Sequence, residues 1–367
     1  MPIRLVDAGR VPYLRSQTVY HGVAASRTDE SPDTILFVYP EEPYVCIGLH
    51  QELKKEVDVE FCRANNIPVV RREVGGGAVY LDSDQLFTQW VIHPDRLPMR
   101  LDRRFELFAK PLVETYKTLD IEAYFRPIND IQVGGKKIGG TGAAAIGNAE
   151  VLVGSFMFDF NYELMASVLK VPNEKFRDKI YQSLHEYMTT MKRELGAAPS
   201  RELVKDLYIQ QCEDVLGDKI VKGNFTDAEL RAMADYDSKF TSEEWLNQKG
   251  GLKRSGVKIH TDVWVYETTH KAKGGLIRTT VRVKNHRIDD ITFTGDFTFH
   301  PPDKLQDLER MLMHSEMKSA SLSGLLRDFY VTSEIQSPGV EPDDWVNAIM
   351  KVNELKQQNA EARVETA

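Results

Sequence analysis

The segment Arg71-Arg72-Glu73-Val74-Gly75-Gly76-Gly77-Ala78-Val79-Tyr80 places three consecutive glycines between two short apolar runs. Such a run is unfavourable in regular structure, because glycine loses the most backbone entropy on folding and has no side chain to pack. It is typical of a backbone that something approaches closely, or that passes through positive φ. Residues 67–70 and 78–80 predict buried strands. The bare N–H groups between them suit a phosphate or carboxylate, and a tight hairpin without a ligand is the alternative.

Size, composition and charge restrict the class of protein. The 367 residues are enough for two domains, and 42% hydrophobic with 28% charged residues is typical of a globular protein. The net charge of −8 argues against a general nucleic-acid binder. The cysteines Cys46, Cys62 and Cys212 form no C-x-x-C pair, which indicates a reducing compartment. Without a signal-like start or a long apolar stretch, we expect a cytoplasmic protein with no membrane association.

The first 160 residues alternate β-like runs with helical segments, and the next stretch is helical. Strands are predicted over residues 34–39, 44–48, 86–92 and 151–160, and helices over 57–65, 105–119 and 203–216. Pro199-Ser200 provides a start signal for the last of these helices.

A polar stretch over residues 236–256 predicts a connector. Beyond it, alternating strands are predicted over residues 257–266, 276–283 and 288–299, with helices over 305–312 and 322–330. These elements make a small α+β unit. A fraying terminal helix is expected after residue 351.

A second glycine-rich stretch runs from Asn129-Asp130 to Gly142 and contains a hairpin signal at Gly134-Gly135. Adjacent side chains on a strand point to opposite faces, so only one of Lys136 and Lys137 can face a site. Lys137 is preferred because it is nearer the small-residue turn expected at residues 139–142. There its ammonium would suit a carboxylate and an α-phosphate, with the Thr141 hydroxyl and backbone N–H groups holding other oxygens. The alternative is a pair of solvated lysines.

The two stretches together resemble the lipoate-protein ligase family. Its first signature is an arginine pair, three glycines, a small residue and an apolar pair, and here it is Arg71 to Asp82. Its second is Asn-Asp followed by a lysine–glycine element, and here it is Asn129-Asp130 followed by residues 136–142. Two motifs in this order and separation are far more specific than either one.

The resemblance implies an α+β fold: a mixed β-sheet domain of the class II biotin/lipoate ligase kind with flanking helices, and a small α+β C-terminal accessory domain. We predict a catalytic domain over residues 1–250, an accessory domain over 255–350 and a tail over 351–367.

The implied reaction has two steps. ATP and lipoate give lipoyl-adenylate and pyrophosphate, and an acceptor lysine then takes the lipoyl group as an amide. Lys137 is the implied catalytic residue, and Asp130 would help to hold Mg²⁺ or adenosine. The implied substrate- and ATP-binding residues are Arg71, Arg72, Gly75, Gly76, Gly77, Ala78, Val79, Tyr80, Asp82, Asn129, Asp130, Gly140, Thr141 and Gly154.

Several positions depart from the family pattern, and we expect these departures to affect how the substrate is bound. Leu81 and Val153 stand where histidines are common, and Gly139 and Gly142 replace a common serine and alanine. An octanoyl or lipoyl carrier-dependent acyltransferase is the enzyme alternative, but no cysteine follows Thr141 where its nucleophile is expected. A non-catalytic lipoate- or adenylate-binding protein is the third possibility. The acceptor could be a glycine-cleavage H protein, an E2 lipoyl domain or a dedicated lipoate-binding protein.

Overall fold

The computed structural model describes residues 2–249, 263–285 and 287–365, and the chain divides into two compact units. Among the described residues, unit 1 comprises those up to Leu49 together with Leu53–Val74 and Ala78–Leu246. Unit 2 comprises His50–Glu52, Gly75–Gly77 and the described residues after Leu246. The three glycines of the first motif therefore group with the C-terminal part of the chain.

Unit 1 alternates strands and helices. Its described strands are β1 (Ile3–Val11), β2 (Thr34–Pro40), β3 (Tyr44–Ile47), β4 (Val69–Arg71), β5 (Val79–Leu81), β6 (Gln85–Ile92), β7 (Ala123–Arg126), β8 (Asp130–Val133), β9 (Lys136–Ile146), β10 (Ala149–Met157) and β11 (Ile220–Lys222). Its described helices are α1 (Arg15–Ala25), α2 (Leu53–Glu56), α3 (Val59–Ala64), α4 (Leu101–Thr118), α5 (Tyr162–Val168), α6 (Glu174–Tyr187), α7 (Met191–Leu195), α8 (Arg201–Leu216), α9 (Asp227–Phe240) and α10 (Glu243–Leu246).

The described residues of unit 1 form an eight-stranded mixed sheet in the order β11-β1-β2-β6-β10-β9-β8-β7. Strand β1 pairs in parallel with β2 and β11, and the other neighbouring pairs are antiparallel. Every residue of β6 is buried. Helices cover both faces of the sheet, so β6 is buried on both sides even at its polar residues Gln85, Thr88 and Gln89.

The two faces of the large sheet have separate cores. Phe105 and Phe108 of α4 pack with Tyr208 of α8 on one face. Val19 and Val23 of α1 pack with Met233 of α9 on the other. The α4 and α8 helices are confirmed, and Ser200 caps α8 by accepting a hydrogen bond from the Leu203 N–H at 3.2 Å. The predicted mixed sheet with flanking helices is therefore confirmed.

A smaller sheet carries the triple-glycine motif. Its order is β4-β3-β5, with β3 parallel to β4 and antiparallel to β5. The two strands around the glycines thus pair with opposite edges of β3 and not with each other. The tight-hairpin alternative is wrong, because a hairpin requires its two strands to pair directly.

The predicted connector over residues 236–256 is wrong for its first part. Helix α9 runs to Phe240 and α10 follows, because a capping box between Thr226 and Glu229 starts α9 and apolar side chains such as Met233 hold it in place. Residues 250–256 of that stretch lie outside the described residues, as does the predicted domain boundary between 250 and 255.

Unit 2 contains an antiparallel sheet in the order β12-β13-β14. Its described elements are β12 (Val263–Ala272), β13 (Gly275–Lys284), β14 (Arg287–Gly295), α11 (Lys304–Leu312), α12 (Ser319–Thr332) and α13 (Pro342–Glu365). Phe293, Phe297 and Trp345 lie in its core. The predicted small α+β unit is confirmed. Residues 257–262 of the first strand predicted there lie outside the described residues, and α13 runs through the boundary expected at residue 351. In the part of the chain that the structure describes, no helix is long and apolar enough to cross a membrane.

Candidate active site

The second glycine-rich stretch forms the β8–β9 hairpin, with Lys137 near its start. Residues 139–142, expected as a turn, instead continue strand β9: Gly139 and Gly140 pair with β8, and Thr141 and Gly142 pair with β10. A bulge around Ile138 accommodates the change of register. The turn prediction is wrong because small residues here serve close strand packing, with a Cβ at Gly139 lying only 3.1 Å from the Ser155 carbonyl oxygen.

Lys137 lies across the face of β9. Its Nζ is 2.7 Å from Oδ1 of Asp130, and its side chain remains 41% exposed. A Cβ added to Gly140 would lie 3.2 Å from this Nζ, so the glycine leaves room for the ammonium. The backbone of the lysine is fixed from the other side, since the Thr189 N–H donates to the Lys137 carbonyl at 2.9 Å. The lysine is thus anchored at its backbone while its charged end stays accessible.

Asn129 and Thr141 are joined by three hydrogen bonds. The Thr141 N–H donates to the Asn129 carbonyl at 2.8 Å, and the Thr141 hydroxyl donates to the same oxygen at 3.2 Å. The Asn129 amide donates to the Thr141 carbonyl at 3.1 Å. The structure therefore brings Asn129, Asp130, Lys137, Gly140 and Thr141 together at one end of the hairpin.

Val74 connects the two motifs within unit 1. A Cβ at Gly142 would overlap the side chain of Val74 and lie 3.3 Å from that of Val153. Gly140 and Gly142 share a face of β9, because alternate residues of a strand point to the same side. Val74 and the Lys137 ammonium therefore lie over the same face of this strand. Gly154, by contrast, packs against α4, where a Cβ would lie 2.8 Å from Cε1 of Phe108.

The glycines themselves belong to unit 2 and have close neighbours there. A Cβ at Gly75 would lie 3.0 Å from the Phe297 carbonyl oxygen and 3.1 Å from the Thr298 hydroxyl. Gly76 has a positive φ of 92°, which favours glycine. The close backbone approach expected from the sequence is therefore present, and protein backbone supplies it at Gly75.

The two arginines of the first motif occupy different environments. Arg71 is fully buried, and its guanidinium donates to the carbonyls of Gly48 at 3.1 Å, Leu49 at 3.0 Å, Trp245 at 3.1 Å and Leu246 at 2.8 Å. Burial lowers its pKa to about 10, so it remains charged near neutral pH. Arg72 is half-buried and donates to the Cys46 carbonyl at 3.1 Å. Arg71 therefore holds the backbone of residues 48–49 and 245–246 in place, whereas a role for Arg72 in binding a ligand stays a prediction.

The residues after the glycines line the small sheet. Ala78 and Tyr80 pack on one side of it, and Val79 packs on the other. Asp82 accepts a hydrogen bond from the Asp84 N–H at 3.0 Å, and burial raises the pKa of its carboxyl to about 6. A carboxyl with this pKa is partly protonated in weak acid. Whether these residues contact substrate stays a prediction.

The three cysteines are free and buried, as is common for cysteines that act as small apolar residues. Burial raises the pKa of the Cys62 thiol to about 11 and raises those of Cys46 and Cys212 as well. A thiol nucleophile needs a lowered pKa and access to substrate. None of the three therefore suits thiol catalysis.

The described side chains do not by themselves form a site for Mg²⁺. Among the described residues there is no group of three or more His, Cys, Asp or Glu side chains that could hold a metal ion. Asp130, the predicted ligand, is paired with Lys137. Mg²⁺ often binds through one or two carboxylates together with substrate phosphates, so the role of Asp130 as a metal ligand stays a prediction, and no chemical step below depends on Mg²⁺.

No sequence pattern identified Glu73, Lys239 or Trp245 as site residues, and the last two lie in the stretch that was predicted to be a connector. All three make contacts at the glycine motif: Lys239 binds Glu73, and the Trp245 indole N–H donates to the Arg71 carbonyl at 2.9 Å. More than 160 residues separate the partners, so no local pattern could have paired them.

Two family models match the chain. Residues 13–213 match the lipoyl protein ligase A/B catalytic domain, and residues 264–349 match the bacterial lipoate protein ligase C-terminus. Residues 214–263 lie between the two matches. The first match alone covers more than half of the chain, and it confirms the resemblance inferred from the two motifs.

Known relatives include ligases and an acyltransferase. Lipoate–protein ligase 1 of Staphylococcus aureus is 28% identical over 290 residues, covering 77% of this chain and 80% of the relative. Octanoyltransferase LipM of Kyrpidia tusciae is 24% identical over 250 residues, covering 62% of this chain and 91% of the transferase. The solved structure of a bi-partite lipoate protein ligase from Thermoplasma acidophilum is 26% identical, with a TM-score of 0.62, and covers 70% of this chain and 100% of that one.

Proposed function

The chain belongs to the lipoyl protein ligase A/B family, and we propose that it is an ATP-dependent lipoate–protein ligase. It would convert lipoate to lipoyl-adenylate and transfer the lipoyl group to a lysine of an acceptor domain. The observation that carries the proposal is the second match, over residues 264–349, to the C-terminus of bacterial lipoate protein ligases. The octanoyltransferase relative is aligned over nearly its whole length but over only 62% of this chain.

In the first step, a lipoate carboxylate oxygen attacks the α-phosphorus of ATP, and the bond to pyrophosphate breaks. Two negatively charged groups must approach each other. The Lys137 ammonium, held by Asp130 at 2.7 Å, would lie between them and offset their repulsion. Gly140 leaves the space for it. A positively charged group preorganised in this way stabilises the transition state without reorganising during the reaction.

Arg72, rather than Arg71, would contact phosphate in this step, because the Arg71 guanidinium donates to four backbone carbonyls. The role expected from the sequence for Gly75, Gly76 and Gly77, which is to let the acyl chain and adenylate approach the backbone, stays a prediction. Asn129 and Thr141 would hold the nucleotide end of the site, and their mutual hydrogen bonds already fix its backbone. Mg²⁺, which the family resemblance implies, would supply charge neutralisation on the phosphates, with Asp130 as its candidate carboxylate.

In the second step, the amine of the acceptor lysine attacks the acyl carbon. The bond to AMP breaks, an amide forms, and the amine loses its proton. Lys137 would stabilise negative charge on the departing phosphate. The solved Thermoplasma relative is described together with an E2 lipoyl domain, so we propose a lipoyl-type domain as acceptor here, with an E2 domain, an H protein and a dedicated carrier as the three candidates.

The buried thiols favour this function over thiol-dependent acyl transfer. A transferase of that kind needs a reactive cysteine, and burial raises the pKa of Cys62 to about 11 and also raises the pKa values of Cys46 and Cys212. Three free cysteines also suit the cytoplasmic location that we propose.

The function is tested by lipoate-dependent exchange of labelled pyrophosphate into ATP, with no acceptor present. A ligase that forms an adenylate catalyses this exchange, and a carrier-dependent transferase does not. Absence of exchange, together with acyl transfer from an octanoyl-carrier donor, would rule out the ligase in favour of the transferase.

A further inference from the structure

Helices α9 and α10 hold the residues on either side of Arg72. Residues 227–246, which we call the brace, lie between the two segments that match the family models. Lys239 Nζ lies 2.5 Å from Oε1 of Glu73. The Trp245 indole N–H donates to the Arg71 carbonyl, and the Leu246 carbonyl accepts from the Arg71 guanidinium. The brace thus binds both neighbours of the proposed phosphate-binding arginine.

The brace is itself fixed to the body of unit 1. Asp237 forms an ion pair with Arg15 and accepts a hydrogen bond from the Thr18 hydroxyl at 2.6 Å. Glu229 forms an ion pair with Arg4. These contacts join α9, which carries Lys239, to α1 and β1.

Glu73 is held between this lysine and a buried histidine. Its Oε2 lies 3.6 Å from Nε2 of His21, whose side chain is fully buried. Burial lowers the His21 pKa to about 4, so this ring is neutral near pH 7. Lys239 therefore supplies positive charge to the pair, and its ammonium also lies 4.2 Å from the centre of the Trp245 ring.

We propose that Lys239 is a positioning residue: through its ion pair with Glu73 it fixes residues 72–74, and thereby orients Arg72 toward ATP. This inference rests on the proposed ligase function and deepens it. The lysine is 43% exposed, and an ion pair at such a site adds little to stability. Its effect on orientation can be larger, because small displacements of a group that binds substrate reduce catalysis strongly.

The test compares Lys239→Met with Lys117→Met. Lys117 is also 43% exposed and also pairs with a glutamate, Glu114 at 3.0 Å, but on α4. We expect Lys239→Met to lower kcat/KM for ATP by about tenfold while KM for lipoate changes less than about twofold. Lys117→Met should leave both unchanged. Exchanging the partners, as Glu73→Lys with Lys239→Glu, should recover more activity than either single variant retains.

Hydrogen exchange supplies a readout independent of turnover. Amides of residues 72–74 should exchange faster in Lys239→Met than in the wild type, and not in Lys117→Met. Equal kinetics and equal exchange in the two lysine variants would overturn the proposal, as would a partner exchange that recovers nothing. If the wild type itself shows no ATP-dependent reaction, the ligase function and the kinetic role of Lys239 both fail, while hydrogen exchange still reports whether Lys239 fixes the motif.

Discussion

At the residue scale, Lys137 combines a fixed backbone with an accessible ammonium. The exposed ion pair with Asp130 contributes little to folding, so replacing the lysine should affect chemistry more than stability. We predict that Lys137→Met lowers kcat/KM for lipoate-dependent pyrophosphate exchange by at least about a hundredfold. Thermal unfolding should shift little.

Lys136→Met is the matched control, because it removes the same charge from the neighbouring position on β9, whose side chain faces the other way. It should retain wild-type exchange. Equal losses in the two variants would contradict a specific role for Lys137.

The contact between Val74 and Gly142 provides a second prediction. Gly142→Ala places a methyl group where the Val74 side chain lies, so we expect a loss of about 1–3 kcal/mol in the free energy of unfolding and reduced activity. Val74→Ala in the same chain should restore much of both, because it vacates that space. Urea unfolding and pyrophosphate exchange measure the two effects, and purely additive losses in the double variant would refute the contact.

His21 makes the stability of the fold depend on pH. Its pKa in the folded protein is about 4, below the ordinary value of 6.5. Between these pH values the unfolded chain binds a proton that the folded chain does not, so this residue lowers stability as the pH falls below about 6.5, and the loss levels off below about 4. Glu73, Lys239, Tyr20 and Tyr236 face the ring or lie beside it.

We predict that His21→Gln removes about 2 kcal/mol of the fall in unfolding free energy between pH 7 and pH 5. The measurement is urea unfolding of both proteins at the two pH values, taken as a difference so that other titrating groups cancel. An identical pH dependence in the two proteins would show that His21 is not buried as described.

At the element scale, helices α1 and α9 cross in contact at Gly22. A Cβ there would overlap Met233 and lie 2.9 Å from the Glu229 carbonyl oxygen, which is backbone and cannot rotate away. We predict that Gly22→Ala costs about 1–3 kcal/mol in unfolding free energy. Because α9 carries Lys239, activity should fall as well.

Gly324→Ala is the control, since Gly324 lies in helix α12 with nothing within 4 Å of an added Cβ. The same substitution there should stabilise the chain by about 0.5–1 kcal/mol, because alanine is the better helix former. Chemical denaturation of both variants gives the two values, and the same sign in both would contradict the close crossing.

Elements with a strong local pattern could be predicted from the sequence. The apolar spacing of α4, and Ser200 before α8, identified those helices because burial and capping act within a few residues. Helix α1 has no apolar stripe: Gln17 and His21 are both buried in it. Its position depends on α9, more than 200 residues away in the chain, and that partnership cannot be inferred locally.

In the candidate site too, locally encoded features could be predicted from the sequence and long-range contacts could not. The two motifs located Lys137 and the glycines. The sequence alone could not show that Arg71 and Arg72, two adjacent arginines, occupy different environments. The difference arises partly because the Arg71 guanidinium donates to the carbonyls of Trp245 and Leu246, which approach Arg71 only in the folded chain. The prediction of a turn at residues 139–142 was wrong because a run of small residues is also compatible with closely packed strands.

At the scale of the whole molecule, the chain couples a large mixed-sheet unit to a smaller α+β unit, with the change of unit after Leu246. We propose that these correspond to the catalytic and accessory domains expected from the sequence. The two family matches, ending at residue 213 and beginning at residue 264, support that division.

We propose that this chain attaches lipoate to a protein lysine at the expense of ATP. The most direct measurement is the intact mass of a lipoyl-type acceptor domain after incubation with the enzyme, ATP, Mg²⁺ and lipoate. We expect a mass gain of one lipoyl group on the acceptor lysine, which requires ATP and is abolished in Lys137→Met. No gain with any of the three candidate acceptors, or a gain that occurs without ATP from an acyl-carrier donor, would contradict it.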